Sequence, residues 1–342
     1  MKSPIIVINP TASEMFKLKQ TLLDDNANID ISTLSNVSSK EELIEAIVSG
    51  GTIKLNENIT IDNLEIPAGV NVVLDLAGKT LTSSINPATA TKDNPIFDIV
   101  VNGNLTIKNG DLPINGIDNN GNLTLINTTI TKESNYGAAV KNEENATLIT
   151  DSNTKFVVNA VGSASDSSGA ACIRNFGNLV VNGSTFESLS MRTYTIINNG
   201  SATINSTTIN GTHGGIACDE GTLIIKDGIY KAARYYGAYL SNDDGSNSSI
   251  EIYGGTFEGG IISNGNCVLI GSDDKDAVDS YCKIYGGTFE GNVQNQKNVL
   301  ETYGAIIYGG KFKTKPDDSY IAEGYVCSEE ANSDGYYIVT KA

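Results

Sequence analysis

The chain has 342 residues, with 35 glycines, no tryptophan and a formal net charge of −17 from 40 acidic and 23 basic residues. An acidic field of this size repels phosphate backbones and argues against nucleic-acid binding, and no run of about 18 apolar residues predicts a membrane span. A polar, glycine-rich chain with scattered Ile, Leu and Val is typical of many short strands.

Residues 1–37 precede the repeats described below. The first ten residues, MKSPIIVINP, contain one lysine and a short apolar run that a proline ends, so they do not predict a signal peptide. Residues 12–24 suit a helix in which Phe16, Leu22 and Leu23 stay exposed unless another surface covers them. We therefore predict an arm that docks on a partner; folding back along the rest of the chain and disorder are the alternatives.

A capping helix is predicted over residues 38–50. Ser39 and Glu42 have the Ser-x-x-Glu spacing of a capping box, and Gly50 ends the helix. The apolar face of the helix comprises Leu43, Ile44, Ala46 and Ile47. This face would cover the strand edge of the first repeat, which would otherwise be open.

Residues 51–315 repeat a pattern of apolar and turn residues. The octapeptide IYGGTFEG occurs at 252–259 and again at 284–291, and IYGGKFKT follows at 307–314. Runs of the form G-x-L-x-I, followed by a turn and one large apolar residue, extend this pattern toward the N-terminus. The repeat is about 25 residues long on average. Its large apolar positions are Leu112, Ile130, Phe156, Phe186, Ile209, Tyr230, Phe257, Phe289 and Phe312.

Each repeat holds three short strand-like runs separated by turns. Three strands in about 25 residues are typical of a right-handed parallel β-helix, in which each strand pairs with its equivalent one coil away. In IYGGTFEG, Ile252 and Phe257 would point inward, and Gly254 and Gly255 would form the corner. We therefore predict an all-β fold, a right-handed parallel β-helix of about ten coils.

Residues 316–342 are predicted to close the last coil. The run YVCSEEANSDGYYIVT, at 325–340, has two strand-like halves around a polar turn and therefore predicts a β-hairpin. An open solenoid end exposes unpaired backbone groups, so a cover is expected there as at the N-terminal end.

Two stretches carry a resemblance to known families. SSKEELIEAIVSGGTIKLNENITIDN at 38–63, together with VNVVLDLAGKTL at 70–81, resembles the N-terminal cap and first coils of pectate-lyase-like β-helix proteins. The run IIYGGKFKTKPDDSYIAEGYVCSEEANSDGYYIV, at 306–339, is similar to a C-terminal module of gut bacterial and bacteriophage β-helix proteins. With the repeats, the resemblance covers residues 38–342 and implies the fold; proteins of this fold serve as lyases, hydrolases, adhesins and virion fibres.

The few strongly cationic side chains of the chain are regularly spaced. There are three arginines and one histidine, and Arg192, His213 and Arg234 follow one another at equal intervals. Equal offsets in successive coils would make them vertical neighbours, a cationic ladder beside Tyr235. Such a ladder could bind an anionic sugar or the carboxylates of a partner. In the alternative the spacing is a coincidence, and each residue pairs locally with an acidic side chain or a loop carbonyl.

Neither a catalytic constellation nor a cofactor motif is recognisable. The Asp-Asp pairs lie in polar loops, whereas glycosidic cleavage needs two carboxyls at a defined separation. The loop with Asp273, Asp274, Asp276 and Asp279 could hold Ca²⁺ loosely, but its spacing is not that of an EF-hand. Five cysteines without a CxxC pair and a single histidine predict no zinc site. We expect no cofactor beyond Ca²⁺ in such acidic loops.

These features favour a non-enzymatic structural or binding protein. We predict a bacteriophage virion component, such as a capsid decoration, head fibre or tail-associated rod, anchored to other virion proteins through residues 1–37. A host-surface glycan is a further expected partner, nucleic acid and membranes are not, and a homo-oligomer is left open. The alternatives are a carbohydrate-active enzyme, a polysaccharide lyase or glycoside hydrolase of the depolymerase type, and an adhesin on the bacterial surface.

Overall fold

A computed structural model describes residues 35–160, 169–241, 248–260, 266–270, 281–295 and 305–342. Parallel β-strands dominate this part of the chain, and it contains one α-helix. The docking residues predicted from the sequence, Phe16, Leu22 and Leu23, lie outside the described residues.

The elements follow in chain order. The helix α1 is Lys40–Ser49, and two 3-10 helices are Pro87–Thr89 and Asp318–Tyr320. The strands are β1 (Ser35–Val37), β2 (Gly51–Leu55), β3 (Ile59–Ile61), β4 (Leu64–Ile66), β5 (Asn71–Asp75), β6 (Leu81–Ser83), β7 (Ile99–Val101), β8 (Asn104–Pro113), β9 (Ile117–Asn119), β10 (Asn122–Lys132), β11 (Ala138–Asn142), β12 (Thr147–Thr150), β13 (Lys155–Val158), β14 (Ala171–Asn175), β15 (Asn178–Ser188), β16 (Tyr194–Asn198), β17 (Ser201–Gly211), β18 (Gly214–Cys218), β19 (Gly221–Ile225), β20 (Ile229–Ala232), β21 (Ala238–Leu240), β22 (Ser248–Ile252), β23 (Thr256–Glu258), β24 (Asn266–Ile270), β25 (Tyr281–Ile284), β26 (Thr288–Phe289), β27 (Asn292–Asn295), β28 (Ala305–Ile307), β29 (Gly310–Phe312), β30 (Tyr325–Cys327) and β31 (Tyr337–Lys341). Among the described helices none is long and apolar enough to cross a membrane.

The strands form two large sheets and one small one. One large sheet has 19 strands; the other has ten, namely β4, β7, β9, β11, β14, β16, β18, β21, β24 and β27. The small sheet is the pair β3–β6. In the described residues every strand pair is parallel except β29–β31 and β30–β31, at the C-terminal end. Each repeat therefore pairs with the next along one axis, and the fold is all-β and solenoid-like.

The large apolar residues of the repeats form one continuous interior column. Successive register partners are Leu112, Ile130, Phe156, Phe186, Ile209, Tyr230, Phe257, Phe289 and Phe312. The last four rings are buried and stacked, with centroids 4.7, 5.2 and 4.8 Å apart. The nine large apolar positions of the predicted repeat therefore lie one above another in successive coils.

The corner of the repeat depends on its two glycines. In IYGGTFEG, Ile252 and Phe257 are fully buried, as predicted. Gly255 has a φ of 99°, a backbone conformation that favours glycine. A Cβ on Gly254 would lie 2.5 Å from the carbonyl oxygen of Lys226 in the preceding coil. The motif recurs at 284–291 and 307–314 because the same corner recurs there, with Gly287 and Gly310 also at positive φ.

Two of the three predicted strand-like runs are continuous in four of the repeats. The strands β8, β10, β15 and β17 are 10 or 11 residues long and cross the bend between the two runs. In β8 and β10 the bend contains Asn109 and Asn127, whose φ values are 61° and 49°. Because pairing with the neighbouring coil continues on both sides of the bend, the two runs join one 19-stranded sheet.

The helix α1 covers the N-terminal coil. The Ser39 side chain accepts a hydrogen bond from the Glu42 backbone N–H at 3.2 Å, and the Gly50 N–H donates to the carbonyls of Ala46 and Ile47. Leu43, Ala46 and Ile47 are buried in the core, and Ile44 packs against it. The strand β1 lies within the predicted arm, yet it pairs in parallel with β2, so the sheet begins before the helix.

The C-terminal residues cover the last coil. The strands β30 and β31 form an antiparallel hairpin, and β31 pairs antiparallel with β29. Val339 from β31 joins the same hydrophobic core as the residues of the first coils. The edge of the last parallel coil is thereby paired rather than open.

Candidate binding surface

The predicted cationic residues lie at the entry to three successive strands of the ten-stranded sheet. Arg192 precedes β16, His213 precedes β18 and Arg234 precedes β21. Tyr194 is the register partner of Gly214, whereas Ile216 is the register partner of Ala238, so the second step along the chain is longer than the first. In the turn before β21, the backbone N–H groups of Ala233 and Tyr235 donate to the carbonyls of Gly211 and His213, so Arg234 is in register with His213 one coil earlier.

His213 and Arg234 converge on one backbone oxygen. The carbonyl oxygen of Met191 accepts from His213 Nδ1 at 2.9 Å and from Arg234 Nη1 at 3.2 Å. Because a carbonyl only accepts, Nδ1 carries the proton of the imidazole ring. Both side chains thus donate to a loop carbonyl, which the sequence analysis gave as the alternative to a cationic ladder. The two residues share this carbonyl.

Four tyrosines surround this pair. The Tyr235 ring centroid lies 4.5 Å from that of His213, and Tyr194 meets the histidine ring edge-on at 5.5 Å. Tyr194 is stacked with Tyr239 at 5.5 Å, and Tyr236 lies 6.0 Å from Tyr239. We call the combined set the Tyr–Arg surface; its members are Arg192, Tyr194, His213, Arg234, Tyr235, Tyr236 and Tyr239.

Tyr194 reaches this position because its partner on the next strand is a glycine. Tyr194 of β16 is in register with Gly214 of β18. A Cβ on Gly214 would lie 2.3 Å from two carbon atoms of the tyrosine ring, so the ring packs against bare backbone. The sequence analysis missed Tyr194 and Tyr239; the Gly-Gly pair after His213 was the one available sign that a side chain packs closely there.

The charge of the Tyr–Arg surface comes from its arginines. Burial lowers the pKa of His213; the hydrogen bond to Met191 opposes this shift, and the charges of Arg234 and Arg192 add to it. Burial raises the pKa of Tyr194 and of Tyr236, and neighbouring tyrosines add to both shifts. Near pH 7 Tyr194, Tyr236 and His213 are therefore neutral, and the two guanidinium groups supply the positive charge.

One series of register partners in the ten-stranded sheet begins with three charged residues and ends at Tyr239 of the Tyr–Arg surface. Its successive register partners are Asp118, Lys141, Arg174, Ile197, Ala217 and Tyr239. Burial lowers the pKa of Arg174, and the charge of Asp219 opposes the shift. Burial and then the charge of Glu143 raise the pKa of Asp118, whose Oδ1 is buried without a hydrogen-bond partner. The third arginine of the chain thus lies in the sheet whose strands the other two precede.

The described part of the chain has no group of three His, Cys, Asp or Glu side chains that could hold a metal ion. The acidic loop with Asp273, Asp274, Asp276 and Asp279, for which the sequence allows weakly held Ca²⁺, lies outside the described residues. The adjacent acids Asp317 and Asp318 are described, and the Asp317 carboxylate is already used, since it accepts from the backbone N–H and hydroxyl of Ser319 at 2.9 and 2.7 Å.

Comparisons with protein-family models, with curated proteins and with solved structures find no significant match. The resemblance to pectate-lyase-like β-helix proteins therefore stays a prediction. A function has to be argued from the residues of the Tyr–Arg surface and of the series of register partners that ends there.

Proposed function

We propose that this protein is a non-enzymatic binding protein that holds an anionic glycan on the Tyr–Arg surface. The observation that carries the proposal is that His213 and Arg234 converge on the Met191 carbonyl beside four tyrosines, while the charge of Arg192 acts on the same histidine. Guanidinium groups form strong, charge-assisted hydrogen bonds to carboxylates and sulfates. Tyrosine rings combine an apolar face with a polar hydroxyl, which suits the mixed surface of a sugar ring.

The charge of the chain supports an anionic rather than a neutral ligand. The chain carries a net charge of −17, yet two of its three arginines belong to the Tyr–Arg surface and the third, Arg174, lies on a neighbouring strand. A small cationic region on an acidic body attracts anions to that region and repels them elsewhere. An anionic chain would therefore be directed to these residues.

The two arginines supply their charge to one region of the surface. Although Arg192 and Arg234 are two coils apart, Arg234 Nη1 lies 3.2 Å from the carbonyl oxygen of Met191, the residue before Arg192. The charges of both arginines act on His213. A carboxylate of a glycan bound at this place would therefore meet both charges, with the tyrosine rings beside it.

The test of this proposal is binding of tetragalacturonate, an acidic oligosaccharide, compared with the neutral maltotetraose, by isothermal titration calorimetry. The wild type is expected to bind the acidic oligosaccharide and not the neutral one. Arg192→Ala with Arg234→Ala is expected to weaken binding at least tenfold, since two charge-assisted contacts are lost. Removing both charges also makes the chain more acidic, so a charge-matched control is needed.

The control variant is Lys54→Ala with Lys311→Ala. Both lysines are exposed and lie in the 19-stranded sheet, on β2 and β29, away from the Tyr–Arg surface. This variant has the same net charge as the double arginine variant. If the two variants lose affinity equally, net charge rather than the Tyr–Arg surface explains binding, and the proposal is wrong.

A second candidate function is a carbohydrate-active enzyme, and one observation favours it. The pKa of Asp118 is raised by burial and by the charge of Glu143, and Lys141, the register partner of Asp118, forms an ion pair with Glu143. Glycoside hydrolysis uses a carboxyl group with a raised pKa as the general acid, beside a second carboxyl group. Incubating the protein with acidic polysaccharides and measuring new reducing ends or unsaturated products tests this reading. Products that disappear in Asp118→Asn would favour the enzyme.

We also propose the type of β-helix and the place of the protein in a virion that the sequence predicts. The fold would be a right-handed parallel β-helix of the pectate-lyase-like type, with about ten coils; the parallel pairing and the mean repeat of about 25 residues support it. The setting would be a bacteriophage virion, with residues 1–37 as the attachment segment. Electron microscopy of purified protein mixed with capsids or tails tests this setting, and decoration that survives deletion of residues 1–34 would contradict it.

A further inference from the structure

His213 occupies the coil between those of Arg192 and Arg234 in the Tyr–Arg surface. Its Nδ1–H is held by the carbonyl of Met191 at 2.9 Å, and the same carbonyl accepts from Arg234. In the neutral ring the second nitrogen, Nε2, therefore carries the lone pair and is the atom that gains a proton on acidification. The hydrogen bond fixes which ring nitrogen can titrate.

The groups that face this ring come from the two coils that flank its own. Arg192 and Tyr194 belong to the preceding coil, and Arg234, Tyr235 and Tyr236 to the following one. The tyrosine rings nearest to it are at 4.5 and 5.5 Å. The charge of Asp219 acts on Tyr194, but the charges that act on the histidine ring are those of Arg234 and Arg192. A proton added to His213 would therefore stand between two guanidinium groups without a compensating negative charge.

We propose that anion binding on the Tyr–Arg surface is coupled to proton uptake by His213, so that the site holds its ligand more tightly as the pH falls. The inference rests on the proposed function. A carboxylate or sulfate bound between the arginines would supply the negative charge that the protonated ring lacks. Because coupling between two binding events is reciprocal, an anion that favours the proton is itself favoured by the proton.

The chain offers a direct readout, because His213 is its only histidine. The imidazole C–H signals in an NMR spectrum therefore report this one ring, and their pH titration gives its pKa without assignment. In the ligand-free wild type the pKa is expected below the usual value of about 6.5. In Arg192→Ala with Arg234→Ala it is expected to rise, since both repelling charges are gone; an unchanged value in this variant would overturn the inference whether or not a ligand binds.

The second arm repeats the titration with saturating tetragalacturonate, whose carboxylates stay ionised between pH 5 and 7.5. The pKa of His213 is expected to rise by about one unit, which corresponds to an affinity about tenfold higher for the protonated protein. Saturating maltotetraose should leave the pKa where it is. If tetragalacturonate binds and the pKa does not move, the coupling is wrong while the proposed function stands; if nothing binds at either pH, both are wrong.

The third arm removes the titrating group. In His213→Asn the amide N–H can still donate to the carbonyl of Met191, but the side chain cannot take up a proton. Whatever its value at pH 7.5, the Kd of this variant for tetragalacturonate is expected to be the same at pH 5.5, whereas that of the wild type falls severalfold. An equal pH dependence in variant and wild type would assign the protons to another group and overturn the inference.

Discussion

The ring of Tyr194 packs against the bare backbone of Gly214, its register partner in the next coil. A Cβ at this glycine would lie 2.3 Å from the ring carbons Cδ1 and Cε1, far inside contact distance. The glycine therefore lets the ring lean along the axis until it stacks with Tyr239 at 5.5 Å. The aromatic part of the Tyr–Arg surface depends on this one missing side chain.

Gly214→Ala is expected to displace the Tyr194 ring and to lower the free energy of unfolding by about 1–3 kcal/mol, as overpacking does in a close-packed region. Urea denaturation measures the loss. In a Tyr194→Ala background the same substitution should cost much less, because the ring that it meets is gone. If Gly214→Ala costs as much in both backgrounds, the contact between these two residues is not its cause.

Phe289→Ala is expected to lower the free energy of unfolding by about 3–5 kcal/mol. The side chain is fully buried between Phe257 and Phe312, so its removal leaves a cavity in the interior column. The matched control is Tyr285→Ala, since Tyr285 also lies between two stacked rings but is 37% exposed. The control should lose about 1–2 kcal/mol, and equal losses in urea denaturation would contradict the placement of the two stacks.

The interior column could be predicted from the sequence, but the Tyr–Arg surface could be predicted only in part. Phe257, Phe289 and Phe312 recur in near-identical peptides, and a residue that fills the interior must return in every coil. Outward residues have no such constraint. The register advances by unequal steps along β16, β18 and β21, so spacing in the sequence did not reveal that Tyr194 and Tyr239 meet.

The buried asparagines show a second limit of sequence analysis. Asparagine is a typical turn residue, and the asparagines of N-x-S/T triplets, such as Asn145, fit that reading with a φ of 65°. In the ten-stranded sheet, however, side-chain amides at equivalent positions are fully buried and bonded to one another; the residues are Asn119, Asn142, Asn175 and Asn198. Only the three-dimensional register separates these from turn asparagines.

Asn175→Ala is expected to lower the free energy of unfolding by about 2–3 kcal/mol, because buried partners lose their hydrogen bonds. The Asn175 side chain accepts from Asn142 at 2.7 Å and donates to Asn198 at 2.7 Å. The control is Asn122→Ala, which breaks a similar amide pair with Asn104 at an exposed position. The control should change stability by about 0.5 kcal/mol; a similar effect of both substitutions in chemical denaturation would contradict this account.

Lys132 is a lysine without exposed surface at the end of β10. Its amine donates to Ser134 Oγ at 2.7 Å and to the carbonyl of Asn115. Burial lowers its pKa from 10.5 to about 7, although the charge of Asp98 opposes the shift. Between these two pH values the unfolded chain holds a proton on Lys132 that the folded protein has released. Unfolding therefore takes up a proton, and protons become scarcer as the pH rises. The free energy of unfolding thus rises with pH by at most about 1.4 kcal/mol per pH unit.

Lys132→Met tests this dependence, because methionine is apolar and similarly long but does not titrate. Other groups also respond to pH; burial raises the pKa of Cys172 and Cys218, for example, but these are the same in both proteins. The stability of the wild type minus that of the variant should therefore grow by about 1–2 kcal/mol between pH 7.5 and 9. The exposed Lys311→Met should show no such trend against the wild type. A difference for Lys132→Met that stays constant over this range would mean that the buried amine keeps its proton, held by Asn115, Ser134 and the charge of Asp98.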